Sequence, residues 1–355
     1  MTQSPANRLL YSQDDFPVFQ NRMYNSAEEA RNCPRGNIRI VEDLTSGLVR
    51  NDAFDPGLVD YDAAYQNEQA NSAPFRQHLN WVADLISDKI GLDDLVEVGC
   101  GKGTFLEMLA ERGALITGFD PTYEGDSPHI QKHYFGPDLG FSATGLVLRH
   151  VLEHIPDPYA FLCQLRDANG GGGLIYVEVP CFDWICEGRS WFDIFYEHVN
   201  YFRLSDFRKM FGKVAAMGRC FGGQYLYVIG DLSSLRAPAY DPNNPVIFPD
   251  NFIASLQVRA AMPSHSDIVW GGASKGVIYA LLRERAGAPV KAVIDINPSK
   301  QGRFLAATGL RVSAPDEVLP NLPRSTTILV MNPNYCEEIR KISNDAFKYV
   351  EVGND

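Results

Sequence analysis

The sequence predicts an α/β protein: a doubly wound, Rossmann-like domain, a second and smaller Rossmann-like α/β domain, and a short N-terminal module. Two observations carry this. Apolar strand-like runs alternate with helical patterns twice, first through "DLVEVGCGKGTFLEMLAERG" and "ALITGFDP", then through "DIVWGGASKGVIYALLRERAG" and "PVKAVIDINP". Such alternation is the pattern of parallel sheets covered by helices. Between the two blocks lies "SSLRAPAYDPNNPVIFPDN", rich in Pro, Asn and Asp as a linker is.

The elements follow in order. Residues 1–74 are polar and turn-rich, with "NIRIVEDL" and "SGLVRND" as candidate strands of a small module that lacks a core of its own. Residues 75–235 hold the first α/β block. Its opening helix is written by Phe75, Leu79, Val82, Leu85 and Ile86 and ends near Gly91. A glycine turn then joins strand to helix, "TGLVLRHVLEHIPDP" runs from strand into turn, and "GGGGLIYVEVP" is a strand entered through four glycines. Residues 236–355 hold the second block, closed by "TTILVMNPNYCEEIRKI".

Composition narrows the class. The 355 residues are 45% hydrophobic and 21% charged, ordinary for a globular protein. A formal charge of -12 leaves no surplus of Lys and Arg for nucleic acid or an anionic membrane. The N-terminus lacks a basic, then apolar, leader, and no run is long enough to span a bilayer. Seven scattered cysteines without zinc-finger spacing suit a reduced, cytoplasmic setting and no metal.

The chemistry concentrates at strand ends. "VEVGCGKGTF" places Glu97 before Gly99, Gly101 and Gly103, and the next strand ends at Asp120. Glycines let a ligand approach the backbone, and a carboxylate at the second strand end can accept ribose hydroxyls. A dinucleotide fingerprint would be G-x-G-x-x-G. Here the spacing is G-x-G-x-G, and an acid precedes it that a pyrophosphate would not welcome, whereas a cationic adenosine would. "HVLEH", His150 to His154, matches the H-x-x-E-H pattern of a zinc site. Its position between an apolar strand and "IPDP" argues against that reading. His150 then faces the cleft or serves structure equally well, and His154 shapes the turn. "WFDIFYEHVNYF" sets Glu197 and His198 among rings, either as a proton-handling pair in a walled pocket or as a backbone-bonded pair in an aromatic loop.

The glycine loop with its flanking acids resembles motif I of class I methyltransferases, which bind S-adenosylmethionine. "EVP…FDIFYEHVNYF" resembles the signature of the deoxysugar C-methyltransferases, which act on nucleotide-linked 4-keto-6-deoxysugars. "YDAAYQNEQANSAPFRQHL", "WGGASKGVIYALL", "VIDINPSKQGRF" and "VMNPNYCEEI" resemble further segments of that family in the same order, over roughly residues 60 to 350.

The resemblance implies that a base removes the proton beside a keto group and that the resulting enolate carbon takes the methyl, leaving S-adenosylhomocysteine. It places the base on His198, with Glu197, Tyr196, His150 and Tyr65 as further catalytic candidates. Cofactor contacts fall on Glu97, Gly99, Gly101, Gly103, Phe105, Asp120, Pro121, Arg149 and His150. Substrate contacts fall on Tyr65, Glu178, Tyr201, Ser274, Lys275 and Asn297, with Ser274 and Lys275 at a helix start suited to a pyrophosphate. Lys275 reads equally as a solvated surface lysine. The partner implied is a nucleotide sugar, and the assembly a monomer or homodimer. Two departures stand out. The family's Tyr-His-Glu-His is Phe195-Tyr196-Glu197-His198 here, and its four-cysteine zinc module is reduced to Cys33. Other readings keep the cofactor but methylate another carbon, nitrogen or oxygen of a small metabolite, or make the chain an NAD(P)-dependent oxidoreductase or a non-catalytic binding protein.

Overall fold

The computed structural model describes residues 7–60, 72–261 and 267–352. The N-terminal part forms an antiparallel sheet. Strand β1 (Asn7–Pro17) pairs with β2 (Arg35–Asp43), and β2 pairs with β3 (Val49–Asn51). A short helix, α1 (Ala27–Arg31), lies between β1 and β2, its first turn capped by the Ser26 hydroxyl. The sequence reading finds β2 and β3 but not β1. The polar run Ser12 to Asp15 breaks the alternation there, and the strand absorbs it with register shifts between Leu9 and Tyr11 and between Gln13 and Phe16.

The central part is doubly wound. Helix α2 (Ala73–Lys89) buries Phe75, His78, Leu79, Val82, Ala83 and Ile86, the face its spacing predicts. The elements that follow are β4 (Leu95–Val98), α3 (Thr104–Glu111), β5 (Ile116–Phe119), β6 (Ile130–Gln131), β7 (Gly145–Arg149), α4 (Pro158–Ala168), β8 (Leu174–Pro180), α5 (Phe182–Glu187), β9 (Asn200–Tyr201), α6 (Leu204–Met210), β10 (Val214–Cys220) and β11 (Tyr225–Asp231). Seven of these strands form one sheet in the order β10-β11-β8-β7-β4-β5-β6. It is parallel from β6 to β8, and the β10–β11 hairpin adds antiparallel at one edge. The order reverses between β4 and β7, and crevices at such points bind ligands.

Strand β9 leaves that sheet and pairs with β3 instead. The aromatic stretch before it is thereby drawn against the N-terminal sheet. Trp191, Phe192, Phe195 and Tyr196 share one core with Phe16, Val18 and Ile40 and with Val277, Tyr279 and Leu305 further along the chain. The leader thus completes a core that other segments supply.

The last part holds α7 (Ala254–Ala261), β12 (Asp267–Trp270), α8 (Lys275–Arg285), β13 (Ala292–Ile294), β14 (Val312–Ser313), α9 (Pro315–Val318), β15 (Thr327–Val330), α10 (Cys336–Ile342) and β16 (Lys348–Glu351). Its five strands are all parallel, in the order β14-β13-β12-β15-β16, again Rossmann-like. The α/β class read from the sequence is the class the chain adopts. All seven cysteines are free thiols. Among the described residues no helix is long and apolar enough to cross a membrane.

Candidate active site

One cavity of about 360 Å³ is lined by the carboxyl ends of both parallel sheets. From the central sheet come Glu97, the loop Gly99 to Lys102, Arg149, His150, Glu153 and His154. From the last sheet come Trp270, Gly271, Ser274, Lys275, Asp295, Asn297 and Asn332, while His198, Phe195 and Asp193 stand between.

The glycine loop turns through left-handed backbone, with φ of 71° at Gly99 and 55° at Gly101. A Cβ at Gly99 would press into Val151, whereas one at Gly101 would enter open space, so the loop leaves room for a ligand at its tip. Asp120 holds this shape. Its Oδ2 accepts from Gly101 N–H at 2.8 Å, and its Oδ1 accepts from the backbone and hydroxyl of Thr122. Asp120 lies behind the loop, outside the cavity wall, and Gly103 caps α3. Glu97 is 3% exposed, and its Oε2 has no partner. Burial pushes its carboxyl up to about 7, against the pull of Arg149. A buried acid with an empty acceptor in a cavity wall fits a cationic ligand. Arg149 sits 4.6 Å over the Phe105 ring, and its Nη2 donates to Glu178 at 2.9 Å.

Several expected contacts are corrected by the packing. Pro121 is exposed and outside the cavity. Glu178 is wholly buried and outside the cavity wall. It accepts from Arg149 and from Tyr176 Oη, lies 3.1 Å from His78 Nε2, and ion-pairs with His150 at 3.0 Å. Against burial, Arg149, His150 and His78 hold it well below the usual carboxylate range. Tyr196 is buried at the N-terminal sheet, where its Oη accepts from Asp55 N–H at 2.8 Å, so the phenol does not reach the cavity. Tyr201 donates to the Phe195 carbonyl at 2.8 Å and accepts from the Phe195 amide, bracing the loop from behind. Glu197 turns its carboxylate away from the cavity, toward the Gln20 amide. Its carbonyl accepts from His154 Nδ1 at 2.9 Å. The two neighbours therefore point apart, and no Glu197–His198 pair faces the cleft. Tyr65 lies outside the described residues.

The groups that do surround His198 come from "HVLEH". His154 is edge to face with it at 4.9 Å, and Phe195 stacks its edge on the other side at 4.9 Å. Burial, reinforced by His154, lowers the His198 imidazole to about 3, so it stays neutral. His150 occupies left-handed backbone, φ 53°, held by its N–H to the Glu178 carbonyl. Burial opposes its charge, but Glu153 and Glu178 together push it up to about 9. Glu153 itself is 1% exposed and held below its ordinary value, the histidines outweighing burial.

On the facing sheet, Lys275 is no solvated lysine. It is buried 2.8 Å from Asp193 Oδ2, without hydrogen-bond alignment, and 4.7 Å over the Trp184 ring. Ser274, strained at φ 40°, donates to Asn21 Oδ1 at 2.7 Å, and its amide to the Gln20 carbonyl. The N-terminal module thus occupies the start of α8, and Ser274 is no open anion site. Asn297 N–H donates to Asp295, which also accepts from Gly272 N–H, the same device that Asp120 uses. Sequence reading missed Asp295, Lys300 and Asp193. For Asp295 the signal was present: "AVID" ends a second strand just as "GFD" does.

Residues 64–214 match the family described as a methyltransferase domain. A curated relative, the C-methyltransferase NovU of Streptomyces niveus, is 27% identical over 163 residues, 41% of this chain. The match spans 39% of that relative's own length. Among solved structures, the magnesium protoporphyrin IX methyltransferase of Synechocystis PCC 6803 with bound SAM aligns at 16% identity and a TM-score of 0.33, over 44% of this chain and 79% of that one. The 1,6-didemethyltoxoflavin-N1-methyltransferase of Burkholderia thailandensis aligns at 13% identity and a TM-score of 0.33, over 48% of this chain and 80% of that one.

Proposed function

We propose that the chain is an S-adenosylmethionine-dependent methyltransferase acting on an enolisable carbon of a small ketone, with a nucleotide-linked keto sugar as the substrate class. Residues 75–235 carry the cofactor and residues 236–355 hold the acceptor. The observation that carries this reading is the single cavity, which joins the glycine loop of one sheet to the equivalent turn of the other with His198 between them.

The residues present fit the cofactor. Glu97 offers an unpaired acceptor to a cation, the Gly101 tip leaves space for an adenosine, and Asp120 keeps the loop in shape. When bound, S-adenosylmethionine supplies an electrophilic methyl group to the acceptor's carbanion. This chain's own work is to orient the acceptor and handle a proton. His198 is the neutral nitrogen base in the wall, oriented by His154 and Phe195. It takes the proton beside the ketone once the negative charge of the bound anionic substrate raises the proton affinity that burial lowers in the free protein. Lys275, aligned by Asp193 and Trp184, faces the cavity as the cation for an anionic substrate oxygen or diphosphate. The exclusion of bulk water by the surrounding rings strengthens both effects. That a partial relative is named a C-methyltransferase supports carbon as the acceptor.

Calorimetry tests the reading. S-adenosylhomocysteine should bind and NADH should not. A nucleotide keto sugar should then bind and exchange its α-proton for deuterium without cofactor, and lose that exchange in His198→Ala. NADH binding in place of S-adenosylhomocysteine overturns the reading. Failure of every nucleotide sugar overturns the acceptor class alone.

A further inference from the structure

A base that starts neutral ends its proton transfer as a cation. For His198 that cation forms inside a wall of rings, where it is costly unless an anion stands near. The acids of its own segment do not supply one. Glu197 turns its carboxylate to the Gln20 amide, and Asp193 is paired with Lys275. The anion comes from "HVLEH". Donor atoms of Glu153, His154 and His198 all lie within 4.8 Å of one another, and all three residues line the cavity.

Glu153 is 1% exposed, yet it holds its charge. Burial opposes that charge, but His150 outweighs it and keeps the carboxyl below its ordinary value. Oε1 ion-pairs with His150 Nδ1 at 3.4 Å, while the buried Oε2 has no hydrogen-bond partner. Its pull on His198 has the sign that a base requires. Burial and then His154 lower the proton affinity of the ring, Glu153 raises it, and His150 lowers it again. Tyr201, the remaining titratable group beside the ring, is bonded to the Phe195 backbone. In the facing wall, Lys300 is paired with Asp295 as Lys275 is with Asp193.

We propose that Glu153 is a positioning residue for proton transfer: its carboxylate is the fixed counter-charge for the imidazolium that forms on His198. The inference rests on His198 being the base. In that step the C–H bond beside the ketone breaks, its electron pair passes into the enolate, and the proton bonds to the His198 nitrogen. A charge fixed before the reaction stabilises the product cation without reorganising. The ion pair with His150 persists throughout, because Glu153 acts on His198 through its field and forms no new bond.

The test follows deuterium uptake by a thymidine-diphosphate-linked 4-keto-6-deoxysugar without methyl donor, so that cofactor contacts drop out. Glu153→Gln keeps the size and an acceptor for His150 but loses the charge. Glu153→Asp keeps the charge and loses a methylene. Exchange in Glu153→Gln should slow about 10-fold or more, the scale set by unit charges ~5 Å apart at an effective dielectric of about 20. KM and the affinity for S-adenosylhomocysteine should stay near native. The rate rises with pH as His198 loses its proton, and without the anion that rise moves to lower pH. Glu153→Asp should keep more of the rate than Glu153→Gln. A packing or hydrogen-bonding role predicts the reverse order and an unmoved profile. If Glu153→Gln does not fold, as circular dichroism will show, the double variant His150→Asn with Glu153→Gln replaces it, since Asn tolerates the φ of 53° at that position. The same direction is expected, because Glu153 acts on the ring more strongly than His150 does. A native rate, an unmoved profile, or a loss in Glu153→Asp as large as in Glu153→Gln overturns the proposal and leaves the base assignment standing. Exchange that persists in His198→Ala, or that the native chain lacks, overturns the reading beneath it, and the proposal with it.

Discussion

His198 stands edge to face with His154 at a ring separation of 4.9 Å, while the carboxylate of the adjacent Glu197 points to Gln20. Chain adjacency and spatial adjacency part company at this position. The side chains that meet at His198 thus come from segments 44 residues apart, not from one tetrapeptide.

Replacement of His198 by Ala should remove turnover and leave the affinity for S-adenosylhomocysteine nearly unchanged, because the glycine loop is built on another strand. Turnover and calorimetry on the same preparation decide it. Normal turnover would sink the base assignment.

Tyr196→Phe should leave turnover intact. The phenol bonds the Asp55 amide far from the cavity, so its loss costs stability of about 1 kcal/mol and no chemistry. A collapse of kcat with unchanged stability would return Tyr196 to the site.

Glu97 predicts a pH dependence of cofactor binding. Its folded-state pKa, about 7, lies above its ordinary value because of burial. The carboxyl is therefore protonated below that pH and anionic above it. A cationic ligand should bind more tightly as pH rises through about 7, and Glu97→Gln should bind weakly with no such slope. For the free protein the sign is opposite: the folded state holds a proton that the unfolded state releases, so stability falls as pH rises between the two pKa values. Flat affinity across neutral pH in the native chain would refute the role.

Glu178→Gln should destabilise the fold by about 3–5 kcal/mol, since it strips a buried carboxylate from Arg149 and two histidines and leaves buried cations uncompensated. Urea unfolding measures it. A change below about 1 kcal/mol would mean the charges are screened or neutral.

Gly101→Val should weaken the cofactor by about 10-fold or more, some 1.4 kcal/mol, while the protein still folds. The added side chain meets no core atom, but the left-handed φ of 55° strains a branched residue there, so an intact circular-dichroism spectrum is required before the loss is read as competition with ligand.

The sheets were legible because period and glycine punctuation mark parallel strands directly. The glycine loop and Asp120 were legible for the same reason: each sits at or just beyond a strand end, whereas His198 stood out only through the family resemblance. Glu197, Tyr196 and Tyr201 were misplaced because their surroundings come from the leader sheet, and no local pattern reports a contact with Asp55 or Gln20. Glu153 was discounted with its motif, since a three-residue turn does not reveal that its carboxylate lies near a histidine from another segment. Lys275 could not be read as buried without Asp193 and Trp184 in place.

Strand β9 begins two residues after His198 and is stitched to the leader through Val49 and Tyr201. Whatever reshapes the leader therefore moves the ring proposed as the base. A recombinant chimera that borrows a foreign amino-terminal segment would inherit its reaction geometry along with it. Laboratory evolution toward new acceptors should accordingly find productive changes among residues 7–51, most of which lie outside the cavity wall.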